Sequence, residues 1–538
     1  MRGINSAVLK SAGLSAFLLL FTLSATAQDQ FAPLVEALGG RSFDQKIQAV
    51  ENLAQANFPR AEEVLNAMLD GRLYTRREDN RVVIAETAGS EYALTDAATG
   101  EALGQVDRDA VARIGLNNRL RSTLRTTLAK LNLSAPDATT RLDAVKQIID
   151  NFDSSSAALL RHAAEQEQDS AVRELMEIGV ALGGLSDQQP AERIAAIDTL
   201  RGSLNPEVRN RLTNLLASEQ DEQVKTTAQS ALQSIEHKVQ SYRLVETVFF
   251  GLSLGSVLFL AAIGLAITFG VMGVINMAHG ELIMLGAYTT YLIQLAFPQF
   301  IEWSLLLAIP AAFLVSGLFG IAIERGVIRF LYGRPLETLL ATFGISLLLQ
   351  QLVRSTISAQ NVPVSNPGWM SGAWEINSAL SLTYNRLYIL IFSLLVFAGL
   401  LLILKKTPLG LKVRAVSQNR SMAKAMGIRT EWVDAMTFGL GSGIAGVAGV
   451  ALSQLTNVGP NLGQSYIVDS FLVVVFGGVG NLWGTLVSAI SLGVGNKFLE
   501  PYAGAVMAKI LVLVFIILFI QKRPRGLFPQ RGRAAAAA

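Results

Sequence analysis

The chain has 538 residues, with 45 Lys and Arg against 42 Asp and Glu and no cysteine. This length exceeds one ordinary domain, the near-even charge calls for no nucleic-acid partner, and the missing thiols exclude disulfides. The charge is unevenly placed: 26 basic and 32 acidic residues lie up to Arg243, and 19 and 10 beyond it. A charge density that more than halves at one point marks a change of medium, from a soluble part to a membrane part.

At the N-terminus, Arg2 and Lys10 precede the apolar run "GLSAFLLLFTLSA", and the small residues Ala25–Ala27 follow. This predicts a signal peptide over 1–27. An uncleaved anchor helix is the alternative, and either one exports the domain over 28–240.

That domain carries an internal repeat. "RLDAVKQIID" begins at Arg141 and "RIAAIDTLRG" at Arg193, while "DSAVREL" begins at Asp169 and "DEQVKTT" at Asp221, both with an offset of 52. Apolar residues at helical spacing (Leu142, Val145 and Ile148; Ile194, Ile197 and Leu200) make these units helical. An earlier unit begins at Lys46, with Pro59 placed after it as Pro206 is after Arg193. Three related units predict a short α-solenoid, a docking or spacing module or a plain scaffold. Alternating Val, Ile, Tyr and Leu around "AATG" predict a β-hairpin insertion near 72–107. His162 and His237 lack metal-ligand spacing and predict no metal site.

Beyond residue 244, nine apolar runs recur: 246–270, 281–299, 303–323, 337–353, 387–404, 433–456, 466–480, 483–500 and 504–521. The fold class expected is therefore an all-α polytopic membrane protein of about eight to ten segments, some broken or re-entrant, behind an α-helical repeat domain. Arg325, Arg329 and Arg334, then the stretch from Lys405 to Arg429, then a tail over 529–538 and the basic residues before it form three positive clusters. The positive-inside rule makes all three cytoplasmic, which puts the N-terminal domain outside.

"GLSLG" at Gly251 and "GSGIAG" at Gly441 match a hydrolase elbow and a dinucleotide fingerprint, but both lie inside apolar runs. Small residues four apart (Gly251 and Gly255, Gly439 and Gly443) predict close helix packing instead. No G-x-x-x-x-G-K-[ST] occurs, so ATP phosphates are not cradled by this chain.

"GVMGVINMAHGELIML" places Asn276, His279 and Glu281 in apolar surroundings. A continuous helix would aim Asn276 and His279 together and Glu281 elsewhere, so a break is expected here, with Glu281 in the first turn of the next helix. Broken backbone at membrane depth is tolerated where it is buried in protein or lines a cavity. Asn276 and His279 therefore read as pathway or packing polarity, and Glu281 as helix-end stabilisation or pathway. A second break, "FGGVGNLWGT", repeats the three-residue Gly-to-Asn spacing of Gly273 and Asn276 at Gly478 and Asn481. Paired interruptions of this kind point towards a transporter's substrate site.

The stretches "GLAITFGVMGVINMAHGELIMLGAY", "KTPLGLKVRAVSQNRSMAKAMGI", "FGGVGNLWGTLVSAI" and "RPRGLF" resemble, in order over about 244–528, the permease of the branched-chain amino acid ABC importer family. The long exported domain in front is similar to the urea-type member. The resemblance implies a multi-pass bacterial inner-membrane permease working by alternating access, a second permease subunit, two cytoplasmic ATPases that bind the ATP, and a periplasmic substrate-binding protein. It also implies that no cofactor is bound by this chain. Its coupling loop falls on Arg414, Gln418, Asn419, Met422, Ala423, Ala425, Met426 and Gly427, with the two methionines as apolar knobs. An ion channel or a membrane-anchored scaffold is the reading from another class. For the substrate, the apolar segments offer few fixed charges, chiefly Glu281, Asp469, Lys497 and Lys509. A zwitterion would need both of its charges compensated, whereas a neutral amide needs only donors and acceptors such as Asn276, His279, Thr342, Gln350 and Asn481. Urea is therefore expected, with a branched-chain amino acid or short amide as the alternative.

Overall fold

The computed structural model describes residues 31–529 apart from 41, 56, 57, 59, 89, 90 and 154. The signal peptide expected over 1–27 and all but the first residue of the tail expected over 529–538 lie outside the described residues. The chain divides into two compact units, Met1–Lys238 and Val239–Ala538.

The first unit is built from triplets of helices. The triplets are Phe43–Gln55, Ala61–Leu69 and Asn118–Asn132; Ala138–Asp150, Ser156–Gln166 and Ser170–Gly184; then Pro190–Leu200, Pro206–Ser218 and the start of the long helix Glu222–Met272. Each third helix has an Asn or Asp just ahead of it, and their side chains accept from backbone N–H groups: Asn117 from Leu120, Asp169 from Val172, Asp221 from Val224.

A polar clamp repeats with the same 52-residue offset. Arg141 donates to the carbonyls of Ala135 and Pro136 at 2.8 and 3.0 Å and to the Glu167 carboxylate at 2.7 and 2.8 Å. Arg193 donates to the carbonyls of Asp187 and Gln188 at 2.9 and 3.1 Å and to Glu219 at 3.0 Å. Each glutamate in turn accepts from the two N–H groups that follow it. In the first triplet Lys46 stands in the arginine's place and donates to the carbonyl of Gly115, two residues before the cap as the glutamates are. The Arg141 hydrogen bonds, ahead of the backbone donors, hold the Glu167 carboxyl down at about 2.

The insertion is larger than the hairpins expected near 72–107. Strands β1 (Leu73–Arg76), β2 (Val82–Ala88), β3 (Glu91–Asp96), β4 (Ala102–Asp107) and β5 (Val111–Arg113) form one antiparallel sheet in the order β4-β3-β2-β1-β5. Val82 and Ile84 join the helical core, while Val83 and Ala85 pack on the opposite face with Leu94 and Val111. This is the period-2 pattern that marked the segment in the sequence.

Among the described residues, six helices are long and apolar enough to cross a membrane: Glu222–Met272, which runs on into the second unit, and within that unit the stretch Pro298–Phe330, Pro335–Thr356, Tyr384–Lys406, Thr430–Ser453 and Ala505–Lys522. Leu462–Gly477 and Leu482–Ala503, bent by 120°, make a seventh if the pair is one broken span. Two of the nine apolar runs are thus the arms of that pair. The run over 281–299 is the helix His279–Ala296, which is not among these spans; His279, Glu281 and Gln294 lower its hydropathy. It packs against Ser304–Gly326, Thr430–Ser453 and Leu462–Gly477. A helix surrounded by protein needs no apolar residue on every face. A hairpin that the sequence did not announce, β6 (Ala373–Asn377) with β7 (Leu380–Thr383), lies in the connection before Tyr384.

Glycines set the helix spacing. A Cβ on Gly251 would stand 2.7 Å from Val494 Cα, and one on Gly255 would stand 2.8 Å from Ile490 Cα. Gly439 meets Ile321 at 2.7 Å, and Gly443 meets the Phe313 ring at the same distance. All four positions picked from sequence therefore lie at helix contacts.

Candidate functional site

The helix Glu222–Met272 ends where Gly273 takes φ +65°, a left-handed conformation that suits glycine. The chain then runs without helical structure to the next helix, which starts at His279. Asn276 shapes this break: its Oδ1 accepts from the Ala278 N–H at 3.0 Å, and its carbonyl accepts from the His279 N–H at 3.4 Å. The His279 ring lies against Gly264, whose missing side chain leaves room for it, and Nε2–H donates to the carbonyl of Ala261 at 2.9 Å. That bond assigns the proton to Nε2 and makes Nδ1 an acceptor. Glu281 falls in the first turn of the helix.

The far wall of this region is the helix Pro335–Thr356, which places Thr338, Thr342, Ser346 and Gln350 on one buried face at intervals of four. Thr342 accepts from the Met277 N–H at 3.1 Å, bracing the broken backbone. Ser346 and Gln350 both donate to Glu281 Oε1, at 3.0 and 2.8 Å. Asn276, His279, Glu281, Thr342 and Gln350 are thus brought together around one break, and all are buried. Asn276 Nδ2, His279 Nδ1 and Glu281 Oε2 find no partner among the described residues. Unsatisfied buried groups cost about 1–3 kcal/mol each, so three at one break mark a strained, polar point within apolar packing. Ser346 was missed from sequence, although its spacing of four from both Thr342 and Gln350 would have found it.

Asn481 sits elsewhere. At the second break Gly478 has φ +102° and Gly480 φ +78°. Asn481 accepts from the Gly484 N–H and donates to the carbonyl of Phe528, so it caps a helix and ties down the C-terminal segment. The two breaks do touch, since Gly270 lies against the backbone of Gly480, but their asparagines do not share a site.

The basic stretch after Lys406 folds as two short helices, Pro408–Gln418 and Arg420–Ala425. Arg414 donates to the carbonyl of Leu404 at 2.6 Å. Gln418 closes the first helix, and Asn419 caps the second by accepting from the Met422 N–H at 2.9 Å. Ala423 is buried among Val413, Val416 and Val433. Gly427, at φ +84°, turns the chain towards the next helix. Met422, Ala425, Met426 and Gly427 remain exposed, leaving two methionine side chains at 60% and 77% exposure on a ledge of small residues. The ledge is anchored by Arg420, which grips buried Asp434 at 3.1 and 2.5 Å, donates to Tyr332 Oη at 2.7 Å and stacks on that ring at 4.0 Å. Burial, reinforced by the Asp434 charge, pushes the Tyr332 phenol up to about 12, so it stays neutral.

A family model described as the permease component of the branched-chain amino acid transport system matches residues 247–520. Among curated relatives, the high-affinity branched-chain amino acid transport system permease protein LivH of Salmonella typhimurium is 30% identical over 293 residues, covering 53% of this chain and 94% of its own. The corresponding protein BraD of Pseudomonas aeruginosa is also 30% identical, over 295 residues, covering 53% and 96%. The ribose import permease protein RbsC of Bacillus subtilis is 30% identical over a shorter 136 residues, 23% of this chain and 42% of that one. No solved structure matches. The match takes in the break at His279, the buried face of Pro335–Thr356 and the ledge after Lys406. This chain therefore belongs to the branched-chain amino acid transport system permease family: it is the membrane subunit of an ABC importer and not an enzyme.

Proposed function

We propose that the chain imports a branched-chain amino acid across a bacterial inner membrane by alternating access, as one half of a permease pair. The observation that carries this substrate is the likeness to LivH and BraD, which runs through nearly the whole length of each. In this reading the pair is driven by two cytoplasmic ATPases and fed by a periplasmic binding protein, and ATP is bound by those ATPases alone. The exposed methionines of the ledge enter a cleft on an ATPase. The first unit lies in the periplasm and the C-terminus in the cytoplasm. Motion of the ledge reaches the break at His279 through Arg420, Asp434 and the helix Thr430–Ser453, which packs against His279–Ala296.

Urea is the second reading. It is favoured by the neutral donors and acceptors of Asn276, His279 and Thr342, and by the engagement of Glu281 with Ser346 and Gln350. Uptake of radiolabelled leucine and urea at micromolar concentration, in cells with and without this chain, separates the two. Chain-dependent leucine uptake that urea cannot compete supports the first reading. Chain-dependent urea uptake without leucine uptake overturns it in favour of the second.

A further inference from the structure

A second polar region lies away from the His279 break. The helix Tyr384–Lys406 carries Arg386 near its start and Lys405 and Lys406 in its last turn, so Arg386 stands about 30 Å along the helix from the ledge. Arg386 opens onto a cavity of about 250 Å³, room for about eight waters and so for a molecule of amino-acid size. The cavity's chemistry is divided. Leu254, Val257 and Ala508 supply apolar lining, and Arg386, Asn496 and Glu500 supply polar and charged groups.

Three observations make this a built site. Arg386 is the cation there with no carboxylate within ion-pair distance among the described residues; its guanidinium rests on the Phe250 ring at 4.9 Å. The other two cations are taken, Lys497 by Glu500 at 2.6 Å and Lys509 by Asp469 at 3.6 Å. Fully buried Ser253 lines the cavity with an unpartnered hydroxyl, and Asn496 Oδ1, an acceptor, also lacks a donor. The site thus offers a forked cation for an anion, acceptors for a cation, and apolar lining.

We propose that this cavity binds a free α-amino acid with a branched apolar side chain. Arg386 receives the carboxylate, Asn496 Oδ1 and Glu500 Oε1, the oxygen that Lys497 does not hold, receive the ammonium, and Leu254, Val257 and Ala508 receive the side chain. The inference rests on the amino-acid reading above and adds to it a place where the zwitterion's two charges are compensated. A urea molecule would leave Arg386 without its counter-charge.

The test uses the assembled importer in proteoliposomes and the diazirine analogue photo-leucine as probe. Irradiation labels peptides from 250–258 or 505–511. Leucine competes this labelling, and leucinamide, which has no carboxylate, competes about thirtyfold more weakly. R386Q lowers labelling to a similar degree, R386K restores part of it, and the ATPase activity of the purified complex reports that the variants assemble. Equal competition by leucine and leucinamide overturns the carboxylate assignment without any variant. Labelling confined to other peptides, or unchanged in R386Q, overturns the site while leucine uptake by the unaltered importer leaves the amino-acid reading standing. Absence of leucine uptake by the unaltered importer overturns both.

Discussion

Replacing Gly255 with alanine tests whether glycines set the spacing of the membrane helices. The new Cβ would lie 2.8 Å from Ile490 Cα and 3.0 Å from the carbonyl oxygen of Ala489. Carbon atoms in packed interiors sit about 3.5–4.0 Å apart, so the helices Glu222–Met272 and Leu482–Ala503 must part by about 0.7–1.2 Å. Both colliding atoms are backbone, and no rotamer change relieves them. Overpacking of this kind costs about 1–3 kcal/mol, which at about 2 kcal/mol lowers the melting midpoint of the detergent-solubilised protein by roughly 4–8 °C. The control is Gly495→Ala on the facing helix, where a Cβ meets nothing within 4 Å; removing glycine's extra freedom there adds up to about 1 kcal/mol. Gly251→Ala, one turn away and 2.7 Å from Val494 Cα, costs a similar amount alone. Combined with Gly255→Ala it adds less than its own cost, because the helices have already parted. Fluorescence-detected size-exclusion after heating reads all four proteins. A Gly255→Ala protein melting at or above Gly495→Ala refutes the reasoning.

In the first unit, Arg141→Ala leaves Glu167 with only its two backbone donors and lowers stability in denaturant unfolding. Because the folded Glu167 value lies at about 2, below its ordinary 4.5, the clamp's contribution is full above about 4.5 and fades as pH falls towards 2; acid titration of stability in the unaltered protein and in Glu167→Gln checks that window. Arg420→Ala leaves Asp434 buried and unpaired and should cost more stability than the double change with Asp434→Ala, a comparison made by thermal melting. Gln350→Leu removes one of two donors to Glu281 Oε1 and is expected to lower substrate uptake by about tenfold with assembly intact; uptake within twofold of the unaltered importer would place this face outside the pathway. Ser417→Cys, in a chain with no other cysteine, should resist a membrane-impermeant thiol reagent in intact cells and react in inverted vesicles.

Residue spacing made some of this visible in the sequence, and distance along the chain concealed the rest. The break at Asn276 was legible because Asn, His, Gly and Glu within six residues contradict an apolar helix, and the structure places Glu281 in the first turn of the following helix as expected. The 52-residue offset was legible for the same local reason. The Arg–Glu clamps were not, because each joins a helical arginine to a glutamate 26 residues on, in the connection ahead of another helix. Hairpins were expected where a sheet of five strands stands, since the pairing of β1 with β5 links Tyr74 to Arg113 and carries no short-range signal. The cavity at Arg386 draws on residues from 253 to 509. Lys497 and Lys509 stand out in the sequence as scarce charges, but no local pattern joins them to Arg386. The Gly-to-Asn match of the two breaks was a true likeness in backbone and a poor guide to chemistry, since Asn481 reaches a carbonyl of the C-terminal segment.

The interior position of His279–Ala296 has a consequence for how the protein is made. A helix opening with His279 and Glu281 enters lipid at a penalty, about 2.5–3.5 kcal/mol for a charged residue at a helix centre and less towards its ends, and its principal cover, Thr430–Ser453, is translated more than 130 residues later. At about 5–20 residues per second the ribosome needs roughly 7–27 seconds to reach that cover. For that interval the segment must wait at the insertion machinery or beside its immediate neighbour Ser304–Gly326, whose Ser316 donates to the carbonyl of Leu282. Biogenesis of this permease is therefore cooperative across the chain: the segment bearing its most polar residues is secured late, by a helix whose glycines admit it.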